Sequence, residues 1–293
     1  MEEVPHVVAV LGRGVLGADE PAVTADDVGL TRGDGCFDSA RVVTDAAGAA
    51  EVVSLAGHLD RLDRSALALG IDNPSHEQWS DLVGQALAAW STPGEAVLKL
   101  LLTRGREWRD SGPTAIVTIA ARGPSRATAD GIRQAPRTIT AVTLSRGHPS
   151  DAFADAPWLL GGVKTLSYVV NVAAGREARR RGADDVVFTS TDGFALDGPT
   201  SGLLVVRGGR FVTTPAGATG ILESVTVEAV LAAAADEGFE TAHELVPVDD
   251  LYTADGVWLV SASRGPVLVT ALDGRRLATD PGLADRVARY AGF

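Results

Sequence analysis

A chain of 293 residues with 45% hydrophobic content is long enough to bury one large or two medium cores, which excludes a disordered protein. A net charge of −12 argues against nucleic acid or an anionic membrane as partner, and no run of about eighteen apolar residues is present to span a bilayer. The acidic start MEEVPHVVAV lacks the basic region of a secretory leader, Cys36 alone excludes an internal disulfide framework, and the histidines lack ligand spacing, so a cytoplasmic protein without a metal site is expected.

In chain order, VVAVL (7–11) reads as a strand and runs into Gly12-Arg13-Gly14-Val15-Leu16-Gly17, which matches G-x-G-x-x-G. A dinucleotide fingerprint also needs a helix facing the pyrophosphate, whereas ADEPAVTADD (18–27) carries Pro21 and acidic residues without an apolar stripe. A glycine-rich β-turn into another strand is expected instead. ARVV (40–43) and EVVSL (51–55) are strand-like, and Leu59, Leu62, Ala66 and Leu69 have helical spacing. A second helix near 76–90 places Trp79, Leu82, Val83, Ala86 and Leu87 on one face, and AVLKLLLTRG and TAIVTIAA read as buried strands. Residues 122–131, RGPSRATADG, combine Gly, Pro and charge without periodicity, and 123–131 is the expected linker.

The second half opens with the strand TITAVTL (138–144). GGVKTLSYVVNVAAGREARRRG (161–182) reads as a glycine-led helix whose Arg179, Arg180 and Arg181 suit a C-terminus capped by Gly182, which gives this basic cluster a structural role. Strands at DVVFT and GFAL flank a Thr191-Asp192-Gly193 turn, and LLVVRGGRFVTT is a hairpin turning at Gly208-Gly209. A helix near 224–236, strands near TAHEL, VWLVS and PVLVTAL, and a last helix with Pro281 in its first turn complete the chain. The sum is a mixed α/β (α+β) chain in two parts, 1–122 and 132–293, without the alternation of a doubly wound domain.

Of the 26 lysines and arginines only two are lysine, Lys99 and Lys164. A neutral amine can condense with an aldehyde to a Schiff base, which a guanidinium cannot do because it stays protonated. The cofactor most associated with such a lysine is pyridoxal phosphate, which also requires an acidic group at its ring nitrogen and a phosphate cradle.

Around Lys164 the chain resembles the class IV aminotransferases, the fold-type IV pyridoxal-phosphate enzymes, over nearly its whole length. GVKTLSYVVN is similar to the family's G-x-K-x-x-x-Y/L-x-x-N, which implies Lys164 as the Schiff-base lysine, carried by a larger C-terminal domain, and Tyr168 as a group reaching the cofactor's phenolic oxygen. ALDGPTSG is similar to V-x-E-G-x-x-S-N and maps the ring-nitrogen carboxylate onto Asp197, with Asp in place of Glu and Gly202 in place of Asn. GHLDRLDRSALAL resembles H-x-x-R-L-x-x-S and implies Arg61 as the phosphate arginine, with Arg64 as its confuser three residues on. TGILESVTVEA resembles G-I-L-x-G-I-T-R, which implies phosphate contacts from Val225 and Thr226, although Ser224 replaces the glycine and Val227 the arginine. The same resemblance implies that Ser261 or Ser263 in VSASRGPV lines the cofactor.

Members of this family share a cofactor site and differ in reaction. GDGCFDSARV (33–42) and VLKLLLTRG (97–105) resemble the 4-amino-4-deoxychorismate lyases, which eliminate pyruvate to leave 4-aminobenzoate, more closely than they resemble the aminotransferases of D-amino or branched-chain amino acids. That likeness implies Lys99, or alternatively Arg104, as a cation for a substrate carboxylate, a homodimer, and a small amino substrate taken between two domains.

Overall fold

The structure, a computed structural model, describes residues 4–122 and 138–293, so the linker expected at 123–131 lies outside the described residues. The chain divides into two compact units, Met1–Ala127 with Val163–Ser167 and Thr128–Gly162 with Tyr168–Phe293. The Lys164 segment, expected in the C-terminal part, therefore packs with the first unit.

In the first unit β1 (His6–Val10), β2 (Gly14–Val15), β3 (Gly35–Thr44), β4 (Ala50–Val52), β5 (Gly94–Thr103) and β6 (Thr114–Ala121) form an antiparallel sheet in the order β2-β1-β6-β5-β3-β4. The helices are α1 (Val28–Arg32), α2 (Leu55–Leu69) and α3 (His76–Ala88), the last opened by a capping box of Ser75 and Gln78. Strand alternation sends Cys36, Ala40, Val42, Leu98, Leu100 and Leu102 into one core with Leu59 and Leu62 of α2 and Trp79 and Leu82 of α3. The other face of the sheet carries the polar alternates, with Ser39 opposite Lys99 and Lys99 opposite Thr118. EVVSL splits at Ser54, because Leu55 and Leu59 belong to the apolar stripe of α2. The G-x-G-x-x-G stretch is a turn: the Arg13 amide donates to the Val10 carbonyl, and β2 folds back on β1. No helix follows until Val28, so the dinucleotide reading fails for want of its helix.

The second unit holds β7 (Thr138–Ser145), β8 (Asp185–Thr189), β9 (Phe194–Ala195), β10 (Gly202–Arg207), β11 (Arg210–Thr213), β12 (Thr241–His243), β13 (Val246–Pro247), β14 (Gly256–Ser261), β15 (Gly265–Leu272) and β16 (Arg275–Arg276). They form one mixed ten-stranded sheet, parallel where β7 meets β8 and β15 and where β11 meets β12. Leu203 and Val205 of β10 enter one core, while Leu204 and Val206 enter another beneath α5 (Val225–Asp236) and α6 (Pro281–Tyr290). This two-sided burial explains the unbroken apolar run LLVV. The remaining helix, α4 (Val169–Arg180), packs Ala174 and Ala178 on Val186 and Phe188 and ends at Gly182, with Glu177 paired to Arg180 and Arg181. The helix expected from Gly161 thus begins eight residues late.

Candidate functional site

Lys164 is set by an edge left open in the first unit. β4 covers only Val42–Thr44 of β3, and the start of β3 takes Val163–Ser167 as its next strand. The Phe37 amide donates to the Lys164 carbonyl at 3.0 Å, the Leu166 amide to the Gly35 carbonyl at 2.9 Å, and Cys36 stands opposite Thr165. Strand register then puts Lys164 on the face of Phe37, where its Nζ lies 4.3 Å from the centre of the Phe37 ring. A backbone hydrogen bond from Lys164 to Ser65 Oγ, 3.3 Å, ties the same residue to α2.

On α2 the residues His58, Arg61 and Ser65 follow at helical spacing and form one buried stripe. Arg61 donates from Nε to Asp38 Oδ2 and from Nη2 to Asp38 Oδ1, both at 2.7 Å, and His58 Nδ1 lies 2.8 Å from the same Oδ1. Asp38 itself is fully buried. Burial would raise its pKa, but the hydrogen bonds from Arg61 and His58 outweigh that and hold the carboxyl at about 2. Neighbouring Cys36 is pushed up to about 12, first by burial and then by Asp38, so its thiol is not a nucleophile. Arg64, on the outer side of the helix, is exposed where Arg61 is buried. Lys99 is exposed on the Phe37 and Lys164 face of the sheet. Arg104 holds Asp34 at 2.7 Å and donates to the Leu69 and Gly70 carbonyls, which makes it a cap for the end of α2.

In the second unit Asp197 is buried just beyond β9, its carbonyl accepting the Phe188 amide at 2.7 Å. The turn after it is held from several sides. Gly198 and Ser201 bridge each other, Asn171 of α4 donates to the Pro199 carbonyl at 2.5 Å, and Arg264 donates from Nη2 to Ser201 Oγ at 3.0 Å and to Asp185 Oδ2 at 2.8 Å. The Arg264 amide in turn donates to Ser261 Oγ at 3.3 Å. Tyr168 is half-buried at the N-cap position of α4. At α5 the Ser224 hydroxyl accepts the Val227 amide and the Ser224 carbonyl accepts that of Glu228, which leaves the N–H groups of Val225 and Thr226 as the outward donors of the first turn. A Cβ on Gly202 would stand 2.8 Å from the Ser224 Cβ, so α5 sits this close to β10 only because position 202 is glycine.

The structure thus brings Lys164 and Arg61 to one cluster through Ser65 and Asp38 in the first unit, and in the second it brings Ser201 and Ser261 together through Arg264, with Asp197 just before the turn that Gly198 and Ser201 bridge. Asp38 and Arg264 are the parts the sequence did not single out; the helical spacing of His58, Arg61 and Ser65 was the available signal for a shared partner of α2. The donor set fits a phosphorylated pyridine aldehyde. The first unit offers a primary amine and a buried arginine, and the second a helix N-terminus and a buried carboxylate, the kinds of group that such a molecule takes at its aldehyde, phosphate and ring nitrogen. Among the described residues no group of three or more His, Cys, Asp or Glu side chains could hold a metal ion.

The profile of the family described as amino-transferase class IV matches residues 35–272. A bifunctional aminodeoxychorismate lyase / D-amino acid transaminase of Mycobacterium tuberculosis is 36% identical over 283 residues, 94% of each chain. The fold is similar to that of a fold IV-transaminase from Curtobacterium pusillum, with a TM-score of 0.87 and 34% identity, covering 98% of this chain and 99% of that one. It is also similar to the PLP-bound form of a hypothetical aminotransferase from Mycobacterium tuberculosis, with a TM-score of 0.85 and 36% identity over 98% of both chains.

Proposed function

This chain belongs to the class IV aminotransferase family and is a pyridoxal-phosphate-dependent enzyme, and from that premise we propose that it is a 4-amino-4-deoxychorismate lyase, releasing 4-aminobenzoate and pyruvate for folate synthesis. The observation that carries this reading is the placement of both lysines of the chain on one face of the first-unit sheet, Lys164 over Phe37 and Lys99 opposite Ser39. The substrate bears two carboxylates, and an exposed ammonium on the same sheet face as the reactive amine suits one of them. Arg104, already engaged by Asp34 and the end of α2, is the weaker candidate.

Bound pyridoxal phosphate supplies the electron sink of the reaction. With that group bound, Lys164 would be the amine that holds its aldehyde and, when free, the base for the proton on the substrate carbon bearing nitrogen. Asp197 would be the carboxylate counter-ion of its protonated ring nitrogen. Arg61, the amides of Val225 and Thr226 and the Thr226 hydroxyl would hold its phosphate, Tyr168 would serve its phenolic oxygen and Ser261 would line its ring.

A second reading, transfer of the amino group of a D-amino acid to a 2-oxo acid, uses the same residues and is favoured by the double name of the mycobacterial relative. Branched-chain amino acids are its further substrates. Incubation with aminodeoxychorismate and no 2-oxo acid separates the readings: 4-aminobenzoate and pyruvate are expected. No product there, with transfer from D-alanine to 2-oxoglutarate in parallel, would reverse the order.

The working form is a homodimer in the cytoplasm without nucleic-acid or membrane partners. Its support is the exposure of Trp158, Leu159, Val169, Val170 and Val172, a net charge of −12, and among the described residues no helix long and apolar enough to cross a membrane.

A further inference from the structure

The deepest-buried acid of the first unit has no part in the chemistry above. Asp38 lies on the helix-facing side of β3, one residue from the Phe37 that receives the Lys164 amine, and both its oxygens take hydrogen bonds from α2. An ionised carboxylate only accepts, so all three bonds run toward it and His58 carries its proton on Nδ1. The two bonds from Arg61 come from Nε and Nη2, the side-on edge of the guanidinium, in a bidentate arrangement that fixes the plane of the group as well as its position.

We propose that Asp38 is a positioning residue for the cofactor's phosphate: it clamps the Nε and Nη2 edge of Arg61 and so fixes where the guanidinium presents its remaining donors before the cofactor arrives. The inference rests on the reading of Arg61 as the phosphate arginine. A long side chain brought to order only on binding would surrender affinity to its rotamer entropy, whereas one held by a buried carboxylate has already lost that freedom in folding. His58 secures the clamp in turn, because its bond to Oδ1 leaves the carboxylate one orientation compatible with all three donors. This gives each of the three residues of the stripe a function: His58 orients Asp38, Arg61 is held by Asp38 toward the phosphate, and Ser65 holds the Lys164 backbone.

The test compares the affinity of the apoprotein for pyridoxal phosphate with that for pyridoxal, which lacks the phosphate, by titrating the visible band. Asp38→Asn is expected to weaken pyridoxal phosphate by about tenfold or more and pyridoxal by less than about twofold, since only a phosphate contact is displaced. Arg61→Ala should show the same selectivity, and the double variant should be no weaker than Arg61→Ala. Equal weakening of both ligands by Asp38→Asn, or no weakening, overturns the clamp while selectivity of Arg61→Ala persists. If Arg61→Ala itself shows no selectivity, the reading of Arg61 falls instead. Should Asp38→Asn fail to fold, Arg61→Lys decides: a lysine keeps the charge but forms no bidentate edge, so it should weaken pyridoxal phosphate as selectively as Arg61→Ala does, and an undiminished affinity for pyridoxal phosphate overturns the clamp.

Discussion

Arginine at position 164 would keep the charge of the lysine and remove its chemistry, since a guanidinium does not deprotonate in a protein. Lys164→Arg is expected to lack the visible band of lysine-bound cofactor and to turn over at least about 10³-fold more slowly, read by spectrum and steady-state rate. Asp197→Asn, by contrast, should retain cofactor and lose about 10²-fold or more in turnover, because the ring nitrogen loses its counter-ion while the phosphate contacts remain; equal activity would remove Asp197 from this role. Asp38 makes a pH statement. Its folded pKa of about 2 lies below the ordinary 3.8, so its contribution, about 2 kcal/mol, is complete above the ordinary value and is lost as the pH falls through about 2. Acid unfolding of Asp38→Asn should therefore depend less steeply on pH over that window. Lys164, Arg61 and Asp197 could be proposed from the sequence because their neighbours follow a family pattern and, for Lys164, because only two lysines are present. Asp38 and Arg264 could not, for a buried acid and a loop arginine declare themselves only through partners 20 and 63 residues away.

Among the elements, alternation and helical spacing identified most strands and helices, and the hairpin at Gly208-Gly209 followed from its turn residues. The lysine segment did not, because its pairing partner β3 lies more than a hundred residues upstream and the gap beside β4 exists only in the folded sheet. Two departures from the family pattern also find a common cause. Gly202 stands where the family has Asn and Ser224 where it has Gly, and the two positions touch: a side chain at one is accommodated by its absence at the other. Gly202→Asn is expected to cost about 1–3 kcal/mol by overpacking, and Ser224→Gly to cost up to about 1 kcal/mol through the lost cap. The pair together should cost less than the sum in urea unfolding, as contacting residues do when each relieves the other.

At the scale of the whole molecule, five large apolar side chains between Trp158 and Val172 remain in solvent in the second unit. A homodimer would cover them, and Val170→Glu with Val172→Glu is expected to yield monomers by light scattering. A dimeric variant of unchanged mass would place the interface elsewhere. Lys164 rides on an edge strand, and a strand counts in twos. A slip of this segment by one residue against β3 would turn the amine toward α2, and a slip by two would return it to the Phe37 face. The facing of the Lys164 amine is thus a matter of parity, preserved only by even shifts of its register on β3.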